Sequence, residues 1–320
     1  MICWAISITV FTPKNLAESS RAIPPLMTTK PAVEIFIYLL MALCLGPAVN
    51  SEAADVLVVG DSQLKPVVEI ISGIRKTLNT TIATCSPLAA KGNLKGLVDA
   101  EGAKVVVALG REAITEAIAL PTNIPVIYDL VVTPPQVSRP NTAGYYMATP
   151  VREYGDLIRR YLQSIRKVAV IGNSEQLLLL AKDEPQLAIP YSAKTAFEFV
   201  KIIKQLDATG AMLLLPDASL LTAAAMEEAY LLSFRKNIPL LGISERHVKE
   251  GALLALVVDP VNVGRQIAES VSKAIKQGNL GQPPPSPPRK FDLYLNAGTA
   301  RKMGIYLPDD FIRMAKKVYP

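Results

Sequence analysis

The sequence predicts an α/β fold with two similar, doubly wound lobes and mainly parallel sheets. Residues 104–133 form one strand–helix–strand pattern. Val105–Leu109 is an unbroken apolar run closed by Gly110, residues 112–120 have helical apolar spacing, and 124–128 is a second apolar strand. The same order occurs again at 211–241. Two copies favour two similar lobes, although any doubly wound protein repeats such units. At 320 residues, the chain is long enough for both.

The first lobe begins with an apolar strand at 55–59, followed by the turn Gly60-Asp61-Ser62. Further strands are predicted at 80–84, 105–109, 124–128 and 142–147, and helices at 67–78, 88–100 and 112–120. The helix at 150–164 has Pro150 in its first turn, where no amide hydrogen is needed. We therefore expect this helix to open the second series of elements.

The second series continues from a strand at 167–171, which ends in Gly172-Asn173-Ser174. Strands are expected at 186–191, 211–215, 237–241, 251–258 and 290–295, and helices at 176–182, 196–206, 221–235, 260–277, 298–303 and 309–318. The segment QPPPSPP at 282–288 must be extended, and we expect it to be a stiff crossover. These elements predict lobe 1 at 54–147 plus 248–285 and lobe 2 at 148–247 plus 286–320.

Residues 1–53 have the pattern of a secretory signal peptide with an upstream extension. Lys30 precedes an apolar run of 11 residues at 35–45, and small residues at 51 and 53 suit cleavage. The run is too short to span a bilayer comfortably. Met27 is an alternative start to Met1, and an uncleaved membrane anchor or a lipid anchor at Cys44 are the other interpretations. We expect an exported, periplasmic or extracytoplasmic protein.

The composition argues against catalytic sites, metal sites and nucleotide-binding sites. The chain has one His, His247, and three Cys, of which only Cys85 follows the N-terminal segment. The first strand ends in GDSQLK rather than in a glycine-rich nucleotide fingerprint, and no phosphate loop is found. We therefore expect no enzyme activity, no catalytic residues, no metal and no cofactor. The net charge of +6 is scattered singly along the chain, so we expect no nucleic-acid partner.

Four segments carry a resemblance to a known family. They are 237–244 (NIPLLGIS), 250–265 (EGALLALVVDPVNVGR), 290–296 (KFDLYLN) and 299–314 (TARKMGIYLPDDFIRM). In this order they resemble the ABC-transporter substrate-binding proteins related to tryptophan- and tyrosine-binding lipoproteins. The resemblance implies a type I periplasmic binding protein fold: two lobes, three crossovers and a ligand cleft. It also implies capture of a small molecule without chemistry, delivery to an ABC permease in the membrane, and a monomer.

The resemblance places the ligand at the loops that follow the strands. Helix N-termini at such loops favour an anion, and an acid on the opposite lobe would hold an ammonium group. The candidate acids are Asp61, Asp129, Asp217 and Glu245, while each serine is also a helix-cap candidate. The full set of expected ligand-binding residues is Asp61, Ser62, Gly110, Arg111, Glu112, Asp129, Thr133, Asn173, Ser174, Asp217, Ser219, Ser244, Glu245 and Asp259.

Two positions depart from the family pattern. Arg111-Glu112 stand where a small hydroxyl residue and proline are common, and Thr133-Pro134 replace an Asp-Pro pair. The ligand is thus an amino acid, or a different small molecule such as a carboxylate bound by Arg111. The leading hypothesis is the solute-binding component of an ABC importer. A periplasmic sensing module and an enzyme on a doubly wound fold are the alternatives, and neighbouring permease or kinase genes would separate transport from sensing.

Overall fold

The computed structural model describes residues 54–207 and 210–320, in which helices alternate with strands around two separate, mainly parallel sheets. The predicted α/β class is confirmed. The signal peptide and upstream extension predicted at 1–53 lie outside the described residues. Within the described part of the chain, no helix is long and apolar enough to cross a membrane.

The first sheet has five parallel strands in the order β2-β1-β3-β4-β5. Its central strand β3 is buried on both faces, as its unbroken apolar sequence predicts. The helix predicted at 88–100 is instead two helices, because Gly92 adopts a left-handed φ of 68° between them. The elements are β1 (Val56–Val59), α1 (Lys65–Thr77), β2 (Ile82–Cys85), α2 (Pro87–Ala90), α3 (Leu94–Glu101), β3 (Val105–Leu109), α4 (Arg111–Ile118), β4 (Val126–Asp129) and β5 (Thr142–Gly144).

The second sheet has seven strands in the order β12-β11-β10-β9-β8-β6-β7, with β11 antiparallel to β10. An apolar core packs against each of its two faces. Its elements are α5 (Val151–Tyr161), β6 (Val168–Gly172), α6 (Ser174–Leu180), β7 (Ala188–Ser192), α7 (Ala196–Gln205), β8 (Ala211–Leu214), α8 (Ala223–Lys236), β9 (Leu240–Gly242), α9 (Glu245–Glu250), β10 (Leu254–Val258), α10 (Pro260–Gln277), β11 (Phe291–Asn296), α11 (Ala297–Lys302), α12 (Asp309–Met314) and β12 (Lys317–Tyr319). Of these, α10 returns to the first sheet and packs on its core.

Two local predictions in the second lobe were wrong. The helix expected at 309–318 ends at Met314, and 317–319 forms β12, which pairs in parallel with β11. A strand of three residues is too short to show a period in the sequence, so only its partner reveals it. Residues 245–250, where no helix was predicted, form the short helix α9, capped by the Ser244 side chain.

The chain passes between the sheets after β5, after β10 and after α10. The second passage differs from the expected boundary, which assigned 248–285 to lobe 1. Strand β10 pairs with β9 and β11, so the chain stays in the second sheet until Val258 rather than leaving it at 248. The reason is non-local: an apolar run such as 251–258 suits either sheet, and only pairing decides between them.

The third passage contains the proline segment, residues 282–288. Its Ser286 N–H donates to the Gly144 carbonyl at 2.9 Å, and its carbonyl accepts from the Tyr146 N–H. The segment therefore lies along the outer edge of β5 and covers it. Prolines suit this place because they have no amide hydrogen to leave unpaired.

Candidate functional site

A cavity of about 760 Å³ lies between the first sheet and α6, the helix that follows the first strand of the second sheet. We call it the interlobe cavity. The proline segment forms its third wall. The residues that line it are Arg111, Tyr128, Thr133, Pro134, Pro135, Gln136, Val137, Thr142, Gly144, Glu175, Leu178, Leu179, Lys182, Gln282, Pro283, Pro284 and Pro285.

The first-sheet side of the cavity is built from the carboxyl ends of β3 and β4. Gly110 ends β3 with a φ of 92° and donates its N–H to the Asp129 carbonyl at 2.9 Å. This turn exposes the next residue, Arg111, at the start of α4. The Tyr128 ring lies against Gly144 of the neighbouring strand, where a Cβ atom would be 2.2 Å from the ring. Burial raises the pKa of Tyr128, so the phenol is neutral at physiological pH.

The loop from Thr133 to Val137 forms the cavity rim, and Arg139 anchors the end of that loop. The Arg139 side chain is only 6% exposed and donates to five backbone carbonyls, with distances from 2.6 Å to Pro121 up to 3.3 Å to Leu120. A sixth bond goes to the Thr142 hydroxyl at 2.9 Å. Burial lowers the pKa of Arg139, although five carbonyl dipoles keep the guanidinium well solvated.

The second-sheet side is supplied by α6 and the residues just after it. Asn173 caps this helix by accepting the Gln176 N–H at 2.9 Å. The helix carries four consecutive leucines, which cannot all share one face. Leu180 is buried, while Leu178 is 72% exposed and faces the cavity with Glu175 and Lys182.

Of the expected ligand-binding residues, Arg111 and Thr133 line the interlobe cavity. Gly110 and Glu112 flank Arg111 but do not line it. Asp259 caps α10 by accepting the Val261 N–H at 3.0 Å.

Three other expected residues, Asn173, Asp217 and Ser219, form a polar cluster at the carboxyl ends of β6 and β8. Asn173 Nδ2 donates to Asp217 Oδ2 at 2.7 Å, and the Ser219 hydroxyl donates to Asp217 Oδ1 at 2.6 Å. Burial alone would raise the pKa of Asp217, but the bonds from Ser219 and Asn173 outweigh it and lower the pKa. Ser174 bonds to the Ser192 hydroxyl at 2.9 Å. The cluster is thus satisfied internally.

Two further expected acids, Asp61 and Glu245, also have hydrogen-bond partners within the protein. Asp61 accepts the Gln63 N–H at 2.9 Å, and Ser62 beside it is exposed. Glu245 bonds to Tyr319 near the C-terminus, and that bond lowers its pKa. Ser244 accepts the His247 N–H and serves as the cap of α9.

Asp129 is different, because its side chain is fully buried and neither carboxyl oxygen has a hydrogen-bond partner among the described residues. Burial raises its pKa to about 7, with a smaller opposing effect from the Leu130 backbone. Leu130 itself has a φ of 63°, which is strained for a leucine. In β4, Asp129 follows Tyr128 and lies on the opposite face of the sheet, so it does not line the cavity.

Sequence reasoning missed most of the cavity lining, notably Tyr128, Leu178, Lys182 and prolines 283–285. One signal was available: four leucines in a row on a helix require at least one to face outward. The prolines were identified only as a crossover, because their position against β5 depends on pairing across the fold.

Comparison with known proteins agrees with this architecture. The family model "ABC transporter substrate binding protein" matches residues 69–319. The ligand-free, open structure of CD0873, a substrate-binding protein with adhesive properties from Clostridium difficile, matches with a TM-score of 0.61 and 14% identity. It covers 83% of this chain and 99% of that one. No curated protein matches the chain.

Two further solved structures share the fold. The ABC domain in complex with L-Trp from Streptococcus pneumonia has a TM-score of 0.55 and 15% identity, covering 83% of this chain and all of that one. A conserved domain protein from Vibrio cholerae has a TM-score of 0.52 and 18% identity, and the match also covers 83% of this chain and all of that one. At these identities the likeness establishes a type I periplasmic binding protein fold. Because the family model spans most of its length, the chain belongs to the ABC transporter substrate-binding protein family.

Proposed function

We propose that this protein is the solute-binding component of an ABC import system. It captures one small molecule in the interlobe cavity, closes around it, and delivers it to a permease in the membrane. The observation that carries the proposal is the cavity itself, which takes Arg111 and Tyr128 from the first sheet and Leu178 and Lys182 from the second lobe. A ligand that contacts both lobes favours the closed state, which is the requirement for capture by closure.

The ligand class we propose is an amino acid or a small carboxylate-like molecule. Arg111 presents a guanidinium fork suited to a carboxylate, and Lys182 adds a second positive charge from the other side. A related fold, the ABC domain from Streptococcus pneumonia, was crystallised with L-Trp. The cavity of about 760 Å³ falls in the size range of small-molecule sites.

Location and assembly form part of the same proposal. The protein is exported by its N-terminal signal peptide, acts in the periplasm or an equivalent extracytoplasmic space, and works as a monomer. Its partners are the ligand and the permease, and no nucleic acid is involved. Mass spectrometry of the protein from an envelope fraction should find a chain cut near Ala53; an intact N-terminus in a cytoplasmic fraction would contradict export.

Closure would occur at the three passages between the sheets, where a few residues absorb the change in backbone angles. Small-angle scattering tests this directly. We expect a smaller radius of gyration when a ligand found by thermal-shift screening is added. At 100 times its dissociation constant, a ligand adds about 2.7 kcal/mol of stability. A ligand that binds without any compaction would contradict capture by closure.

We also propose that the bound molecule is released unchanged, because the cavity lining includes no histidine, cysteine or serine nucleophile. Incubation of the protein with a bound ligand, followed by mass spectrometry of the small molecule, tests this. Any protein-dependent product would overturn the binding-protein assignment.

A further inference from the structure

The interlobe cavity contains three charged side chains, and together they carry one net positive charge. Arg111 and Lys182 are cations on opposite sides, and Glu175 is the one acid. In the described part of the chain, none of these three side chains has an ion pair or a hydrogen bond. Arg111 on one side, with Lys182 and Glu175 on the other, leaves one positive charge for a ligand to neutralise.

The remaining walls of the cavity are largely apolar. The Tyr128 ring, Leu178 and prolines 283–285 surround the space. Leu178 is 72% exposed, so the ligand-free surface leaves a large apolar side chain in water. Burying Leu178 against an apolar ligand body would be favourable, because it removes apolar surface from water. The lining thus fits a molecule with an apolar body.

A zwitterionic ligand would need an acid placed for its ammonium group. The four acids expected for that role do not line the cavity. Asp217 accepts bonds from Asn173 and Ser219, and Asp129 is buried on the opposite face of the first sheet. Only Glu175 remains, and its position in the first turn of α6 already complements the helix N-terminus.

We propose that the solute is an organic monocarboxylate with an apolar body and no ammonium group. Arg111 and Lys182 bind its carboxylate from the two sides, and the proline wall, Tyr128 and Leu178 enclose the body. Glu175 is left to offset one of the cations in the closed state. This inference rests on the proposed function and specifies the ligand of the same cavity.

Titration calorimetry on the purified full-length chain tests the proposal with four probes. Three of them, 3-phenylpropionate, L-phenylalanine and phenethylamine, share one ring and one chain length, and hexanoate is an aliphatic carboxylate. We expect 3-phenylpropionate to bind at least about tenfold tighter than L-phenylalanine, and phenethylamine not to bind, because a charged hydrogen bond accounts for a change of that size. Tighter binding of L-phenylalanine, or no binding of either carboxylate, would overturn the proposal.

Charge-neutralising variants provide a second test. Arg111→Gln and Lys182→Gln should each weaken 3-phenylpropionate binding by about tenfold or more, whereas Glu175→Gln should leave it unchanged or tighter. Lys194→Gln, an exposed lysine elsewhere in the second lobe, is the matched control. Circular dichroism confirms that each variant is folded, as expected for exposed positions. A tenfold loss of 3-phenylpropionate binding in Glu175→Gln would contradict the proposal, because it would show that the acid supports binding of the carboxylate.

Failure of this inference is distinguishable from failure of the proposed function. If an amino acid or a sugar binds and compacts the protein in scattering while the carboxylates do not, the import function stands and the monocarboxylate assignment falls. If no solute of a broad library binds with compaction, the capture function itself is wrong.

Discussion

Asn173 donates a hydrogen bond of 2.7 Å from Nδ2 to Oδ2 of Asp217, and this bond joins the carboxyl ends of β6 and β8. The same asparagine caps α6 through its other side-chain atom, Oδ1. One residue therefore links the position of a cavity-lining helix to the neighbouring strand. Asp217, expected to contact ligand, instead holds the framework beside the cavity.

Asp217→Asn should lower the free energy of unfolding by roughly 1 kcal/mol at pH 7, because an amide NH₂ then faces the Asn173 donor. The pKa of Asp217 is lowered from 3.8 in the folded state. Its ionised form thus stabilises the fold above about pH 4, and this contribution is lost as the pH falls through the folded pKa. Urea unfolding from pH 3 to 7 should show a weaker acid dependence in the variant.

The matched control for this prediction is the exchange Asn173→Asp with Asp217→Asn. It restores a donor opposite an acceptor and keeps an oxygen to cap α6. We expect it to recover most of the lost stability. If the exchange is as unstable as the single variant, the hydrogen bond is not the cause.

Asp129 should make the protein less stable as the pH rises. Its pKa is raised from 3.8 to about 7 in the folded state, so the folded form binds the extra proton between these values. The contribution of Asp129 to stability should be greatest below about pH 4 and fall as the pH rises to 7, by up to about 4 kcal/mol. Asp129→Asn should remove this fall and be more stable than the natural protein at pH 8.

Chemical denaturation at pH 5 and pH 8 measures the effect of Asp129. Tyr145 is a titratable group that interacts electrostatically with Asp129. It stays neutral between pH 5 and pH 8 because burial raises its pKa, so its own titration does not contribute to the measured change. Equal pH slopes in the natural protein and in Asp129→Asn would show that the carboxyl is ionised without cost.

Arg139→Met should cost about 3 kcal/mol of unfolding free energy or more, because several buried carbonyls lose the hydrogen bonds that Arg139 donates to them. The Thr133–Val137 rim should also loosen, so ligand affinity should fall. Arg166→Met, at an exposed arginine, is the control. Thermal or urea unfolding of both variants decides the matter, and similar small losses would refute the anchoring role.

Gly144→Ala should displace the Tyr128 ring into the interlobe cavity, since the new methyl would lie 2.2 Å from that ring. We expect a loss of about 1–3 kcal/mol in stability and weaker ligand binding. In a Tyr128→Ala background the same change should cost much less, because the clash is gone. Additive effects in this double-mutant cycle would contradict the contact.

The fold class can be predicted from the sequence alone, because its signals are local. Apolar runs such as Val105–Leu109 mark buried parallel strands, and Gly110 marks a strand end. Residue type also indicates helix caps: Ser244, a cap candidate in the sequence, accepts a backbone N–H in the first turn that follows it. Each of these features depends on a few neighbouring residues.

Tertiary structure decided which strands pair and which side chains face the cavity. Strand β10 joins the second sheet through its pairing with β9, and β12 exists only because β11 lies beside it. Leu178 and Pro283–Pro285 meet at one cavity although about a hundred residues separate them along the chain. Such contacts depend on the pairing energy of distant segments, which no local pattern contains. For the same reason, the sequence gives Asp217 and Arg111 the same kind of position, just after a buried strand, but of the two only Arg111 lines the cavity.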